Sequence, residues 1–402
     1  MKERENMRTT RIDREIMEER EELRRIIDER KKNKKYSRKQ NKKNIKNKRI
    51  RTFFTIMFNL GTIGIITVLV MLYGPWAGFR NWLVTTAMTT MTHQYFATWF
   101  YDKNVINDIL NNNKVIENGD STDTDLINIT YGKTEKYKNE YERQILERDK
   151  ANNDYKIIEI DGKGYSGYLV AVYDPSRIKT VVTAKLGTSG QYLTTMAKNN
   201  DALLAINGGG FNDPNFNSTG GSPLGITVSF GKYVTTDAYG GSGGIIGFTE
   251  DDKLVLEKCS LSKAKQLGIR DAVTFGPFLI VNGVPAKVLG NGGWGDAPRT
   301  VIGQRQDGIV LLLVLDGRRA GKMGADMDDL IEIMQRYGAY NAANLDGGTS
   351  SVLVVQNMIV NDPIDSTGAH KTRPISTGFI VTKDDSDDSD NGPVAQKLEQ
   401  WN

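Results

Sequence analysis

One uncharged stretch constrains this chain more than any other feature of its sequence. The 21 residues Phe53–Tyr73 contain no charged side chain, and Asn59 is their one amide. As a helix rising 1.5 Å per residue, such a stretch is about 30 Å long, which matches the hydrocarbon thickness of a bilayer. A core helix of a soluble domain is seldom apolar on every face over this length. The stretch therefore predicts one transmembrane helix.

The segment that precedes this helix predicts its orientation. Residues 1–52 carry 21 Lys and Arg against 10 Asp and Glu, whereas the rest of the chain carries 32 against 39. A basic flank is retained in the cytoplasm, and a leader this long does not resemble a cleavable signal peptide. We expect a basic cytoplasmic tail at 1–52, an uncleaved signal anchor at 53–73, and the C-terminal domain outside the cytoplasm of a single-pass protein in the cell membrane. Because the excess of basic residues is confined to the tail, no nucleic-acid partner is expected.

A second apolar stretch, Trp82–Tyr101, leaves two topologies open. Read as a span, it would return the C-terminal domain to the cytoplasm. Its several threonines, together with His93 and Gln94, favour an interfacial helix or juxtamembrane collar instead. Trp76, Trp82, Trp99 and Tyr101 suit a belt at the level of the lipid headgroups.

The remaining chain divides by composition. Residues 74–154 are predicted to be a juxtamembrane segment and spacer, because hydrophobic residues become sparse after Asp102. From 155 to 382, about a dozen short apolar runs separated by turn residues predict strands, and Met327, Leu330, Ile331 and Met334 follow helical spacing. The predicted fold class is α+β, a strand-rich mixed-sheet domain with few helices. Residues 383–402 are expected to be an acidic disordered tail.

Four loop segments of this domain carry residue types suited to chemistry. Asn207 begins the run NGGG directly after an apolar strand, and Arg299 lies in APRT. Asp316 and Arg318 follow another strand in DGRR, and Asp346 opens DGGTSS. Carboxylates can act in acid and base catalysis, guanidinium groups can clamp a phosphate, and glycines let backbone amides approach a ligand. The four segments together predict a site for an anionic ligand.

These segments resemble a known family. INGGGF, FGPFLIVNG, APRTVIG, LLLVLDGR and NAANLDGGTSS occur in the order typical of the phosphodiester glycosidases, which include N-acetylglucosamine-1-phosphodiester α-N-acetylglucosaminidase, over about residues 200–382. The family pattern is similar to NGGFF and LDGGGSS, so Gly210 and Thr349 are departures, and Gly210 is expected to widen the pocket. The resemblance implies catalytic roles for Asp346, Asp316, Arg299 and Asn207. It implies substrate binding by Gly208, Gly209, Arg318, Gly347, Gly348, Thr349 and Ser350.

The resemblance also implies a reaction. A glycosyl phosphodiester would be hydrolysed at its glycosidic bond, with a phosphomonoester as the leaving group. Arg299, with Arg318 and the amides around Gly208, would hold the phosphate, and either Asp346 or Asp316 would act as the base or stabilise an oxocarbenium-like transition state. A membrane-anchored bacterial member acting on a cell-surface glycan or exopolysaccharide is the nearest kind, and no cofactor is expected.

Other site chemistries stay open at this point. Ser350 or Ser351 with Asp346 and His370 would make a Ser-His-Asp set, although no G-x-S-x-G motif is present. Zinc would need a set of His or Cys ligands, whereas this domain contains only His370 and Cys259, and no metal is expected there. Calcium held by Asp213, Asn215 and Asn217 is the weaker exception. A member of a different class, a non-catalytic module that binds cell-wall glycans, is the alternative to an enzyme.

Overall fold

A computed structural model of the chain describes residues 2–89, 93–119, 121–132, 136–149, 152–212, 219–237, 241 and 243–383, with side chains from residue 14 onward. The described residues fall into two units, one ending at Ala77 and the other beginning at Gly78. Asp213, Asn215 and Asn217, the expected calcium ligands, lie outside the described residues, as does the expected acidic tail apart from Lys383.

The first unit is a single helix. Helix α1 runs from Lys2 to Tyr73 and thus includes the basic tail as well as the apolar stretch. Among the described residues it is the one helix long and apolar enough to cross a membrane. Most of its apolar side chains are solvent-exposed, as at Phe58, which is 74% exposed, although Leu72 near its end is buried. The expected membrane-spanning length and composition are therefore present in a helix that buries little of its surface within the protein.

The second unit combines short helices with many strands. Its helices are α2 Ala77–Thr89, α3 Tyr95–Thr98, α4 Lys103–Asn112, α5 Glu140–Leu146, α6 Leu193–Asn199, α7 Leu261–Gln266 and α8 Met327–Arg336, with single 3₁₀ turns at Thr124–Leu126, Pro175–Arg177 and Gly348–Ser350. Its strands are β1 Lys114–Ile116, β2 Tyr155–Asp161, β3 Ser166–Val172, β4 Ile178–Val182, β5 Leu204–Asn207, β6 Phe211–Asn212, β7 Ser222–Pro223, β8 Ile226–Ser229, β9 Lys232–Thr236, β10 Gly244–Thr249, β11 Leu254–Glu257, β12 Ile269–Phe275, β13 Phe278–Val281, β14 Val284–Pro285, β15 Lys287–Leu289, β16 Arg299–Arg305, β17 Val310–Asp316, β18 Ala339–Asn344, β19 Leu353–Val355, β20 Met358–Ile359 and β21 Thr377–Val381. The predicted α+β class is confirmed.

Three larger sheets organise these strands. Their orders are β14-β13-β18-β16-β17-β3-β2, β20-β19-β5-β21-β4 and β11-β10-β12-β8-β9, and two-stranded ribbons pair β1 with β15 and β6 with β7. The expected mixed sheet is antiparallel at every strand pairing within the described residues. Because neighbouring antiparallel strands point in opposite directions, the loops that carry the candidate motifs can leave from the same edge of a sheet.

The seven-stranded sheet is buried on both faces. In β17, Leu311, Leu313 and Leu315 pack in a core that also contains residues of α5 and α8. The alternate residues Val310, Leu312 and Val314 pack against the two five-stranded sheets. Side chains alternate between the faces of a strand, so a strand covered on both sides must be apolar at every position. This explains the unbroken run of hydrophobic residues in β17.

Helix α8 forms where its sequence pattern predicts. Met327, Leu330, Ile331 and Met334 all lie in the core beneath the seven-stranded sheet. At the N-terminus, Asp326 accepts a hydrogen bond from Asp329 N at 2.9 Å and Asp329 accepts one from Asp326 N at 3.0 Å, a reciprocal capping box. At the other end Gly338 takes the left-handed backbone with φ of 79°, as expected for a glycine after the last turn.

The cap of α8 makes stability depend on pH. Burial raises the pKa of Asp329 to about 6, despite the bond from Asp326 N that lowers it. The pKa of this carboxyl is higher in the folded chain than in the unfolded chain, where an Asp titrates near about 4. As pH rises from about 4 to 6 the unfolded chain releases the proton first, so the free energy of unfolding falls over this range. Asp329→Asn keeps the capping oxygen and removes the charge. Its free energy of unfolding, measured in urea, should therefore rise relative to wild type across this window. A difference that stays constant from pH 4 to 6 would contradict this.

The expected spacer is instead packed against the domain. Strand β1 pairs with β15, and Glu117 Oε1 accepts a hydrogen bond from Phe278 N at 2.8 Å. Ile145 is fully buried in the core that contains α8. The prediction of an unpacked segment is wrong for these residues, because single apolar and polar side chains that look isolated in sequence find partners on distant strands. The domain therefore begins well before residue 155.

The stretch Trp82–Tyr101 forms two short helices, α2 and α3, in its described part. Neither is long enough to span a bilayer. Val84, Thr85 and Ala87 of α2 are buried, and Tyr101, expected in the headgroup belt, is only 8% exposed. Trp76 and Trp99 are 59% and 72% exposed, as a belt would require.

Candidate functional site

The turn that begins at Asp346 brings three of the predicted segments together. It follows β18, and Asp346 N donates a hydrogen bond to Gly208 O at 3.1 Å. On its other side, Gly348 N donates to Pro298 O at 2.8 Å, next to Arg299. The segments NGGG, APRT and DGGTSS are therefore adjacent, although between 40 and 140 residues separate them along the chain.

The side chain of Asn207 joins several of these segments through hydrogen bonds. Its side chain is 1% exposed and accepts hydrogen bonds from Thr300 Oγ1 at 2.7 Å and Val352 N at 3.1 Å. Its Nδ2 donates to Asp346 O at 2.6 Å. The amide thus connects β5, β16 and both ends of the Asp346 turn. Asn207, expected among the catalytic residues, lies in a position to orient Asp346 through its backbone.

Replacing Asn207 with alanine should destabilise the domain. The substitution leaves three buried partners without hydrogen bonds, and each such bond contributes about 1 kcal/mol. We expect the free energy of unfolding to fall by roughly 2–3 kcal/mol in urea titrations of the full chain. Asn112→Ala, which removes one exposed bond to Asp108 O within α4, is the matched control and should change it by less than about 0.5 kcal/mol. Equal losses in the two variants would contradict the role of Asn207.

Asp346 is held by a residue that sequence reasoning missed. Its Oδ2 accepts hydrogen bonds from Ser350 Oγ at 2.5 Å and from Arg373 Nη2 at 2.9 Å. Arg373 Nε also donates to Ser350 Oγ at 2.7 Å, and its guanidinium lies 4.6 Å from the ring centre of Phe211. Side chains of Asp346 and Arg373 are 16% and 21% exposed, so the pair reaches solvent. No motif marked Arg373, because its proximity depends on β21 pairing with β5.

Arg318 approaches the same turn from the end of β17. Its Nη1 donates to Thr349 Oγ1 and to Ile364 O, both at 2.8 Å. The backbone of Gly348 is left-handed, with φ of 63°, and a methyl group there would lie 2.9 Å from Arg318 Nη2. Burial first, and then the nearby charge of Arg373, lower the pKa of Arg318. The turn and this guanidinium are therefore in close contact.

Arg299 lies below the turn and is 4% exposed. Its Nε donates to Ala325 O at 3.1 Å, and its Nη2 donates to Trp294 O at 2.9 Å and Gly295 O at 2.5 Å. Burial lowers the pKa of Arg299 to about 10, partly offset by the charges of Asp326 and Asp296. A methyl group on Gly347 would lie 3.8 Å from its remaining nitrogen, Nη1. Two of its three nitrogens, Nε and Nη2, thus donate to backbone carbonyls. The third, Nη1, is the one that lies near Gly347 of the turn.

Asp316 is positioned differently from Asp346. Its carboxylate is 5% exposed and accepts hydrogen bonds from Asn361 Nδ2 at 2.8 Å and from Asp362 N. Burial raises the pKa of Asp316, while these bonds lower it. Of the two carboxylates expected to be catalytic, Asp346 thus belongs to the turn itself. Asp316 instead holds the loop at Asn361 in place through hydrogen bonds.

A further carboxylate lies in the loop that Arg299 holds. Asp296 follows Gly295, whose carbonyl accepts a hydrogen bond from Arg299. Partial burial and then the charge of Asp326 raise the pKa of Asp296, and Arg299 lowers it. Sequence reasoning passed over Asp296 because an acid in a glycine-rich loop gives no distinct signal.

The glycines after Asn207 serve packing more than ligand approach. Gly208 N donates to Thr377 O and Gly209 N donates to Thr377 Oγ1, both at 3.0 Å, so these two amides are occupied within the protein. A methyl group on Gly210 would lie 2.7 Å from the Phe275 ring. The expectation that Gly210 widens the pocket is therefore wrong: Phe275 occupies the space that a side chain would fill.

The alternative Ser-His-Asp set is not assembled. Ser350 Oγ bonds directly to Asp346, whereas His370 Nδ1 lies 2.6 Å from Asp362 Oδ1. Ser350 and Ser351 are buried. Among the described residues there is also no group of three His, Cys, Asp or Glu side chains that could hold a metal ion.

The Asp346 turn lies among several positively charged side chains. Three guanidinium groups, those of Arg299, Arg318 and Arg373, surround residues 346–350, and within the described part of the chain only Arg373 has a carboxylate within 4.0 Å. Buried like charges repel, so such a cluster is stabilised by an anion placed between its members. The arrangement can hold a phosphate next to the Asp346 carboxylate.

The chain is similar in sequence or in fold to several known proteins. The chain is 28% identical over 219 residues to the SPbeta prophage-derived uncharacterized protein YomE of Bacillus subtilis (strain 168), a match that covers 50% of this chain and spans 31% of the length of that relative. Among solved structures, the zebrafish N-acetylglucosamine-1-phosphodiester alpha-N-acetylglucosaminidase catalytic domain, auto-inhibited by its pro-peptide, is 21% identical with a TM-score of 0.48, over 57% of this chain and 83% of that one. A putative exported protein from Burkholderia pseudomallei is 16% identical with a TM-score of 0.42, over 55% of this chain and 74% of that one.

The family comparison addresses the resemblance directly. The phosphodiester glycosidase family model matches residues 200–382, the range over which the five motifs occur. This range includes Asn207, Arg299, Arg318, Asp346 and Arg373. The expected resemblance to the phosphodiester glycosidase family is thereby confirmed over residues 200–382.

Proposed function

We propose that this protein is a hydrolase that cleaves the glycosidic bond of glycosyl phosphodiesters. The observation that carries the proposal is the cluster of Arg299, Arg318 and Arg373 around one turn that also bears the partly exposed carboxylate of Asp346. A phosphodiester is the anion that such a cluster suits, and a family of phosphodiester glycosidases matches the region.

In the proposed reaction the guanidinium groups of Arg318 and Arg373 hold the phosphate. The bond between the anomeric carbon and the phosphate oxygen breaks, and the electron pair leaves with a phosphomonoester. Water supplies the new oxygen at the anomeric carbon, and its proton passes to the Asp346 carboxylate. Charge stabilisation at the phosphate is the larger catalytic contribution, because a phosphomonoester is a far better leaving group than an alkoxide.

Asn207 and Ser350 support this chemistry by position. Asn207 holds the backbone of Asp346, and Ser350 donates to its Oδ2. Arg373 bonds to both Ser350 and Asp346, so it fixes the carboxylate while leaving Nη1 for the substrate. Arg299 holds the loop at Trp294 and Gly295 and adds positive charge beneath the turn.

The proposed setting is outside the cytoplasm, at the cell membrane. An apolar helix follows a segment, Lys31–Arg51, with 12 basic and no acidic residues, a pattern typical of a cytoplasmic flank. A domain tethered on the outer side would meet glycans of the cell surface or exopolysaccharide, which are the proposed substrates. A reporter fused after Asp102 should be active outside the cytoplasm, and activity confined to the cytoplasm would refute this orientation.

The proposed activity can be tested on the full chain in detergent. The protein is incubated with a panel of glycosyl phosphodiesters, and free sugar and phosphomonoester are measured together. Release of both in equal amounts is expected from at least one diester, and none from the corresponding alkyl glycosides. A non-catalytic glycan-binding module would retain a diester without releasing either product, and Asp346→Asn would leave that retention unchanged.

A further inference from the structure

A glycine-rich loop places an aromatic ring beside the guanidinium cluster. The loop joins β15 to β16, and its backbone is left-handed at Gly290, Gly292, Gly293 and Gly295. Trp294 lies between the last two of these and is partly exposed. Such backbone geometry is readily available only to glycine, so the loop is shaped specifically around its one large side chain.

Trp294 belongs to an aromatic pair. Its ring centre lies 6.0 Å from that of Phe275, with an angle of 63° between the planes, and Phe275 is also partly exposed. The Arg299 guanidinium carbon lies 5.9 Å from the Trp294 ring centre. Arg299 Nη1 is in turn the guanidinium nitrogen nearest Gly347, so the aromatic pair lies beside one member of the guanidinium cluster at the Asp346 turn.

Residues outside the family match hold this loop. Asn291 Nδ2 donates to Thr85 Oγ1 of α2 at 2.8 Å, and Asn291 N donates to Asn113 Oδ1 at 3.1 Å. Gly295 packs against Thr86, where a side chain larger than hydrogen would collide. Arg299 holds the loop from below through the carbonyls of Trp294 and Gly295. A loop fixed from both sides holds Trp294 in one position at little further entropy cost on binding.

We propose that Trp294 and Phe275 form the wall against which the sugar ring of the substrate packs. This inference rests on the proposed function and assigns the side of the site on which the sugar lies. A pyranose presents an apolar face of C–H groups, which an aromatic ring covers well, whereas a phosphate alone gains nothing from such a surface. The ligand class is a pyranosyl phosphate, with its phosphate at the guanidinium cluster and its ring on Trp294.

The test compares two ligands on the full chain in detergent micelles. Affinities for inorganic phosphate and for a pyranosyl 1-phosphate are measured by calorimetry. Wild type should bind the sugar phosphate at least about tenfold more tightly than phosphate. In Trp294→Ala this preference should fall to within about twofold, while the affinity for phosphate is retained. Trp294→Phe, which keeps a ring, should restore most of the preference.

Two further variants separate ring stacking from folding. Trp294→Leu keeps apolar volume without an aromatic face, and it should resemble the alanine variant in ligand preference even if its unfolding temperature matches wild type. Trp99→Ala removes a tryptophan that is 72% exposed and remote in sequence, and its preference should equal that of wild type. On a diester substrate, Trp294→Ala should raise KM more than it lowers kcat.

The outcomes distinguish this inference from the proposed function. If wild type hydrolyses a diester and Trp294→Ala or Trp294→Leu keeps the preference for the sugar phosphate, the aromatic wall is refuted and the proposed function stands. If wild type binds neither ligand and releases no product, both are refuted.

Discussion

Asp346→Asn should lower kcat/KM for a glycosyl phosphodiester by at least about a hundredfold, or roughly 2.7 kcal/mol in transition-state stabilisation. Among the described residues, Asp346 is the carboxylate that contacts the guanidinium cluster directly, through Arg373 at 2.9 Å. Asparagine preserves the shape and the oxygen that accepts from Ser350, but it can neither take a proton from water nor stabilise positive charge at the anomeric carbon.

The measurement is a steady-state assay of the full chain, with the unfolding temperature of each variant determined in parallel. Asp201→Asn is the matched control, because Asp201 is exposed, forms an ion pair with Lys383 and has a left-handed backbone that asparagine tolerates. Its kcat/KM should stay within about twofold of wild type. Full activity in a folded Asp346→Asn variant would remove this carboxylate from the mechanism.

Arg299→Ala should be among the most destabilising single substitutions in the domain. Arg299 is 4% exposed and donates hydrogen bonds to three backbone carbonyls, those of Ala325, Trp294 and Gly295. Truncation leaves these acceptors unsatisfied and opens a cavity below the turn. Together these effects should reduce the free energy of unfolding by about 3–5 kcal/mol.

Urea unfolding of the full chain measures this loss. The control is Arg319→Ala, because Arg319 is the neighbour of Arg318, is 34% exposed at its side chain and forms an ion pair with Asp362 at 2.5 Å. A pair this accessible contributes about 1 kcal/mol or less. If the free energy of unfolding falls no more in Arg299→Ala than in Arg319→Ala, the three carbonyl contacts do not stabilise the loop. Reduced activity of Arg299→Ala is informative only at temperatures where the variant is folded.

Sequence reasoning succeeded where physical signals are local. The helical spacing of Met327 and Leu330 predicted α8, and the run of hydrophobic residues in β17 predicted a strand. The apolar helix at 53–73 followed from length and absence of charge alone. Each of these patterns depends on residues that lie close together along the chain, so it can be read directly from the sequence.

The same reasoning failed where distant residues decide the outcome. Glu117 and Ile145 appeared to belong to a spacer. Glu117 nevertheless accepts a hydrogen bond from Phe278 N at the start of β13, and Ile145 is buried in the core that contains α8. Gly210 appeared to enlarge a pocket, yet Phe275 from another sheet fills the space beside it. Arg373 belonged to no motif, and yet its guanidinium forms the ion pair with Asp346.

By itself the sequence determined the apolar helix, the strand-rich α+β class and the resemblance of residues 200–382 to the phosphodiester glycosidases, because hydrophobic periodicity and motif order are properties of the linear chain. The tertiary structure alone decided which charged residues meet at the Asp346 turn and that Asn207 orients that turn. It also decided that residues before 155 hold the Trp294 loop. Contacts of this kind depend on strand order and register, which bring together residues up to about two hundred positions apart, and no local pattern encodes that pairing.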